Sequence, residues 1–178
     1  GTLFLDEVGE LPLNIQKTFL RVLQEHRFRP VGGTNEKSSD FRLISATNRN
    51  LDQMSSQGLF REDLLFRLRS FVIKLPELKE RPGDINDITI YYIKKICERN
   101  RIGIKGIDPG FLEILSSYHW PGNVRELINT LETVISEFPD APTLFVKHLP
   151  VKIRVHAARQ SVADKQTPLE KSPAKAKE

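Results

Sequence analysis

Residues Gly1-Thr2-Leu3-Phe4-Leu5-Asp6-Glu7, GTLFLDE, decide the fold class of this 178-residue chain. Thr2 to Leu5 form an apolar run too short for an ordinary helix, and such a run reads as a strand buried on both faces of a parallel sheet. Two carboxylates, Asp6 and Glu7, follow at once. Ligands of open α/β sheets bind just beyond the carboxyl ends of the strands. A carboxylate there can hold magnesium on a nucleoside triphosphate, usually through water, and its neighbour can orient or deprotonate an attacking water. The plain alternative is a surface Asp-Glu pair that merely follows a strand.

Outward from this stretch, strand and helix signals alternate through residue 80, which argues for α/β architecture. Pro12 to Glu25 reads as a helix with Ile15, Phe19, Leu20 and Leu23 on its apolar face. Phe28 to Val31 followed by Gly32-Gly33 suggests a short strand and a turn. Phe41 to Ala46, FRLISA, is a second buried-strand candidate, Phe60 to Arg69 a short helix, and Phe71 to Leu75 a third strand. Leu75-Pro76 and Arg81-Pro82-Gly83 mark a boundary, beyond which only helices are expected to about residue 137. The first runs from Pro82 to about Asn100 with Ile85, Ile88, Tyr92 and Ile96 on one face. The second starts at Asp108, an N-cap before Pro109. The third starts near Asn123, with Glu126 three residues on as a capping-box partner. The expected organisation is an α/β core over 1–80, a helical bundle over 81–150 and a basic, disordered tail over 151–178.

The net charge of +4 belongs to that tail: residues 147–178 carry eight Lys/Arg against three Asp/Glu, and residues 1–146 carry 19 against 20. A basic tail binds nucleic acid weakly, although a solvated end is the commoner meaning of such a composition. No stretch is apolar enough to span a bilayer and no signal peptide is visible. One cysteine, Cys97, excludes an internal disulfide and fits a reducing cytoplasm. The four histidines show no metal-ligand spacing.

Four further residues have chemistry to offer. Asn48 follows the second apolar strand, where its amide can hydrogen-bond a water or a γ-phosphate; strand-end asparagines are more often turn formers. Arg61 and Arg67 lie in GLFREDLLFRL, residues 58–68. Arginine neutralises the charge that develops on a transferring phosphoryl group. Six residues turn about 240° net around a helix, so the two cannot share one face of a regular helix; either they have different jobs or Arg61 lies at the helix start. Spacing alone favours an i,i+4 ion pair of Arg67 with Asp63. Arg125, in WPGNVREL at 120–127, projects about 110° from the apolar stripe of its helix, where a long side chain can place its charge in a cleft or simply mark the border of the core.

Together these blocks are specific. GTLFLDEVGELPL at 1–13, QKTFLRVLQEHRFRPVGG at 16–33, FRLISATNRNL at 41–51, GLFREDLLFRL at 58–68, LPELKERPGDI at 75–85 and WPGNVREL at 120–127 make the chain resemble the second half of the AAA+ ATPase domain of bacterial sigma-54-dependent transcription activators. The resemblance covers residues 1 to about 150. It implies a partial AAA+ parallel-sheet core followed by a helical lid. It implies that Asp6 and Glu7 are the Walker B pair, metal-side acid and water-activating acid, and that Asn48 is sensor I. It assigns Arg61 and Arg67 to the trans-acting finger segment that reaches a neighbouring subunit's nucleotide, and Arg125 to sensor II on the lid. The implied cofactors are ATP and Mg2+. The implied partners are sigma-54 RNA polymerase holoenzyme, further copies in a hexameric ring, and DNA through a domain not present here.

The departures from the family are as informative. A Walker A loop, G-x-x-x-x-G-K-[ST], supplies the backbone N–H groups that cradle phosphates, and no glycine in this sequence is followed by lysine. The GAFTGA loop is absent as well, and no helix-turn-helix is visible in the basic region. The Walker A and GAFTGA motifs precede Walker B in the family, so the sequence reads as a fragment or truncated product with little or no ATPase activity of its own. The alternative reading is a non-catalytic interaction protein that docks on intact AAA+ subunits through Arg61 and Arg67 and modulates them.

Overall fold

The structure is a computed structural model that describes residues 1–166, with side chains described through residue 159. The chain divides into two compact units between Lys74 and Leu75, at the first of the two proline marks.

The first unit begins with β1 (Thr2–Leu5), a 3-10 turn over Val8–Glu10, and α1 (Leu13–Glu25). A hairpin of β2 (Arg27–Phe28) and β3 (Lys37–Ser38) follows, then β4 (Arg42–Ser45), α2 (Leu51–Ser56) and α3 (Glu62–Leu68). β1 and β4 pair in parallel with Leu3 opposite Leu43 and Leu5 opposite Ser45. This is the expected parallel arrangement, reached through an intervening helix as a parallel crossover requires. The core of the unit lies where α1 meets α3: Leu20, Leu23, Phe60, Leu64 and Leu65 are buried, with Phe19, Leu43 and Met54 against them.

Two expectations for this unit fail. β1 is not buried on both faces, since Phe4 is 58% exposed and Leu3 37%. Its sheet has two strands among the described residues, so its faces lack the cover that an all-apolar strand is suited to. Phe71 to Leu75 forms no strand. Its composition is strand-like, but a strand exists only with a ladder partner, and Phe71, Val72, Ile73 and Leu75 are each at least two-thirds exposed.

The second unit holds a 3-10 turn (Leu78–Glu80), α4 (Pro82–Asn100), β5 (Gly106–Ile107), α5 (Pro109–Ser117), α6 (Asn123–Glu137), β6 (Thr143–Leu144) and α7 (Val151–Gln166). α4 has the bounds the sequence predicts, because Pro82 at its first position sets the start. α5 starts as predicted, Asp108 Oδ1 accepting the N–H of Gly110 at 3.0 Å. α4 packs on α5 and α6 around Ile85, Ile93, Cys97, Phe111, Leu115, Leu127 and Leu131, all at most 1% exposed.

Two features of this unit differ from expectation. β5 and β6 form a parallel pair, Gly106 opposite Thr143 and Ile107 opposite Leu144, too short to leave a periodic signal. The tail expected to be disordered from residue 151 is helical through Gln166. Its N–H groups at Ile153 and Arg154 return to the Pro150 carbonyl, and Ile153 is fully buried in the bundle core. Among its described side chains one is buried, which is why the apolar pattern fades there. The remainder of the expected tail, 167–178, lies outside the described residues. No described helix is long and apolar enough to cross a membrane.

Candidate functional site

The carboxyl ends of β1 and β4 emerge side by side, as the Leu5–Ser45 register requires. Two bonds extend the pairing past the strands: Ala46 N–H donates to the Leu5 carbonyl at 2.8 Å, and Val8 N–H to the Ala46 carbonyl at 3.0 Å. The acids at 6–7 and the Thr47-Asn48 segment are thereby fixed as neighbours. Both Asp6 and Glu7 are exposed. Asp6 Oδ1 accepts the Glu7 N–H at 2.9 Å, which turns one of its oxygens back on the chain. Glu7 has left-handed backbone, φ 52° and ψ 43°. Strain of this kind at a non-glycine residue persists only where its surroundings enforce it, and it clusters at functional sites.

The loop after Glu7 is clamped to the Asn48 segment. Gly9 lies so close that an added Cβ would meet Thr47 Oγ1 at 3.0 Å and Arg49 Cβ at 3.2 Å. Arg49 Nη2 pairs with Glu10 at 2.5 Å, and Thr47 Oγ1 accepts the Arg49 N–H at 3.1 Å. Asn48 itself is exposed. It follows Ala46, the residue tied to the acid loop, by two positions.

Arg61 sits at the N-cap of α3 with extended backbone, the helix-start option left open by the spacing. Its guanidinium grips Asp63 with two bonds, Nε to Oδ1 at 3.0 Å and Nη2 to Oδ2 at 2.6 Å. That hydrogen bonding holds the Asp63 carboxyl below its ordinary pKa. The expected Arg67–Asp63 pair is therefore absent, because Arg61, leaving the helix axis at the N-cap, reaches Asp63 first. Arg67 instead donates Nη2 to the Leu23 carbonyl of α1 at 3.3 Å. The two arginines thus have different surroundings. Arg69 pairs with Asp52 and fastens the end of α3 to the start of α2.

One residue of this region escaped the sequence reading. Gln16 on α1 is fully buried and makes three hydrogen bonds. The signal was present: Gln16 precedes Leu20 and Leu23 by four and seven positions, so it lies on the apolar face, where a polar residue needs partners.

In the second unit, Arg125 lies in the first turn of α6, just past a turn with two strained residues, Trp120 at φ 47° and Asn123 at φ 50°. Trp120 is buried and donates Nε1 to the Leu115 carbonyl at 2.7 Å. Asn123 Oδ1 accepts the Leu78 N–H at 2.8 Å. Glu126 caps Gly122 N–H at 2.9 Å, one residue before the predicted cap, and pairs with Lys152 at 2.7 Å. Burial acts to raise the Glu126 pKa, but the bonds from Lys152 and Gly122 outweigh it and the net direction is down. Arg125 is exposed and lines an open groove of about 610 Å³ together with Asn129, Thr133 and the paired Glu126 and Lys152.

Among the described residues no three His, Cys, Asp or Glu side chains gather into a metal cluster. Magnesium on a nucleotide takes one or two carboxylates plus phosphate oxygens and waters, so the Asp6–Glu7 pair fits that ion bound with its nucleotide and not as a free cation. The phosphate-cradling loop is not among these 178 residues.

Comparison with known proteins agrees with this geometry. Residues 1–74 match the model of the sigma-54 interaction domain, and residues 79–166 match that of an AAA+ ATPase lid domain. The regulatory protein AtoC of Escherichia coli is 42% identical over 154 residues, 86% of this chain and 33% of AtoC. The transcriptional regulator NtrC of Rhizobium meliloti is 42% identical over 139 residues, 78% of this chain and 28% of NtrC. The crystal structure of NtrX from Brucella abortus in complex with ADP superposes with a TM-score of 0.81 at 37% identity, over 87% of this chain and 36% of NtrX. The chain spans roughly a third or less of the length of these curated relatives.

Proposed function

From the premise that the chain belongs to the sigma-54-dependent activator family and corresponds to the latter part of its AAA+ domain, we propose that it supplies the acid, sensor and finger residues of an ATP-hydrolysing site. The observation that carries this reading is the double tie of the Asp6–Glu7 loop to the Asn48 strand end. Asp6 takes the metal side and Glu7 activates water. Asn48 contacts the γ-phosphate. Arg61 and Arg67 act on the nucleotide of a neighbouring subunit, and Arg125 addresses the nucleotide from the lid. Mg2+, bound with ATP against Asp6, would neutralise developing charge on the phosphoryl group. In the assembled ring this hydrolysis would remodel the sigma-54 polymerase complex in the bacterial cytoplasm, with DNA held through a further domain.

Positioning supplies most of the catalysis of phosphoryl transfer. The 178-residue polypeptide, without a phosphate cradle, is therefore expected to show little or no ATP turnover alone. Turnover by the purified chain that Glu7→Gln abolishes would refute that expectation. A second reading is docking on intact subunits without catalysis, through Arg61 and the exposed Arg67. Mixing the chain with an intact relative separates the two. Restored turnover in a relative stripped of its own finger arginines supports the catalytic reading. Altered turnover of an unmodified relative, lost in Arg61→Ala, with no restoration of the stripped one, supports docking alone.

A further inference from the structure

Gln16 makes three bonds that reach two segments of the first unit. Nε2 donates to the Leu11 carbonyl at 2.7 Å, immediately after the turn that follows Asp6 and Glu7. The same nitrogen donates to the Leu59 carbonyl at 3.2 Å, and Oε1 accepts the Arg61 N–H at 2.8 Å. The side chain is fully buried. Both donor hydrogens and the acceptor oxygen of the amide are engaged. No intrahelical carbonyl is available to the Arg61 N–H at its N-cap position, so Gln16 satisfies a group that the helix leaves open.

We infer that Gln16 is a positioning residue that sets the backbone of Arg61 against the Asp6–Glu7 loop, so that the finger and the acids of one subunit are held in a fixed relation. The role rests on the catalytic reading above. An apolar residue at position 16 would fill the same space and take this partner from the Leu11 and Leu59 carbonyls and the Arg61 N–H, all of them partly buried. The Leu59–Arg61 segment would keep its Phe60 packing and its backbone bonds to Met54 and Leu65 but lose its polar tie to α1. No other described side chain bonds both segments.

The role is tested on the full 178-residue chain by two readouts. The first is amide hydrogen exchange at Arg61, followed by NMR. In the unmodified chain this N–H is expected to exchange at least about tenfold more slowly than an unbonded amide, and Gln16→Met is expected to remove that protection while the Leu20 and Leu23 amides keep theirs. An Arg61 amide that exchanges as fast as an unbonded one in the unmodified chain overturns the placement without any variant. The second readout adds the chain to an intact family activator whose own finger arginines have been replaced, and follows ATP turnover. Gln16→Met is expected to lower saturating turnover about tenfold without shifting the chain concentration needed for half effect. A residue that only holds the fold would change the fraction of active chain and thus the half-effect concentration instead. Saturating turnover equal to that of the unmodified chain overturns the positioning role. Should the unmodified chain restore nothing, the catalytic reading fails, and the exchange experiment still decides whether Gln16 places Arg61.

Discussion

Val8 and Ala46 are joined backbone to backbone, the N–H of Val8 donating to the carbonyl of Ala46 at 3.0 Å. The next residue, Gly9, then rests directly on Thr47 and Arg49. A branched side chain there must displace the Asn48 segment. Gly9→Val is expected to cost about 1–3 kcal/mol of stability in the first unit. Hydrogen exchange should show lost protection at Ala46 and Val8. Gly83→Ala, whose added carbon meets nothing within 4 Å, is the control and should not destabilise.

Glu7 holds a backbone conformation that glycine adopts without cost. Glu7→Gly should therefore stabilise the first unit by roughly 0.5–1 kcal/mol, read from the urea midpoint by circular dichroism. The same substitution removes the proposed water-activating acid. Glu7→Gln, which keeps the strain, should leave the midpoint unchanged. A destabilised Glu7→Gly would show that the side chain, and not the backbone, is what the fold favours at this position.

The legible part of the molecule is the part written in local pattern. Thr2 to Leu5 gave a strand, and Pro82 gave the start of α4, because both depend on neighbours in sequence. Phe71 to Leu75 has the composition of a strand, yet strand formation depends on a partner that composition does not name. Gln16 could be placed on the buried face of α1 by periodicity, but its partners Leu59 and Arg61 lie in a segment that only the fold brings to it. The left-handed backbone of Glu7 left no trace, since glutamate is not a residue that marks positive φ. Among the described side chains of α7 Ile153 is the buried apolar one, and one apolar residue makes no stripe.

His148 is buried, and its Nδ1 accepts the Phe145 N–H at 3.1 Å, which requires that nitrogen unprotonated. Burial, then the charges of Lys147 and Lys105, lower its pKa from the ordinary 6.5. The folded state thus binds its proton less readily than the unfolded state. Its contribution to stability is complete above about 6.5 and is lost as pH falls below that value. Trp120, the one tryptophan, is buried in the helical unit and reports its unfolding. Urea midpoints read by its fluorescence should fall from pH 7 to pH 5, and His148→Gln should flatten that slope.

Lys105 is 5% exposed, and its ammonium donates to three backbone carbonyls, Phe138, Pro139 and Ala141, at 3.1, 2.7 and 2.7 Å. These follow the C-terminus of α6, where a cation is favoured. Lys105→Met should cost about 2–4 kcal/mol by orphaning three acceptors at once. The same fluorescence measurement checks it. A loss below about 0.5 kcal/mol would mean that water replaces the ammonium without penalty.

Cys97 lies inside the bundle core at 0% exposure and is the sole thiol of the chain. No alkylating reagent can reach it while α4 stays packed on α5 and α6. Its labelling is therefore a clock: each modified molecule records one opening of the bundle, and the rate of mass gain counts those openings under native conditions. Any partner that binds the packed bundle would slow that clock, so a single sulfur atom, chemically idle in the fold, can meter binding without any engineered label.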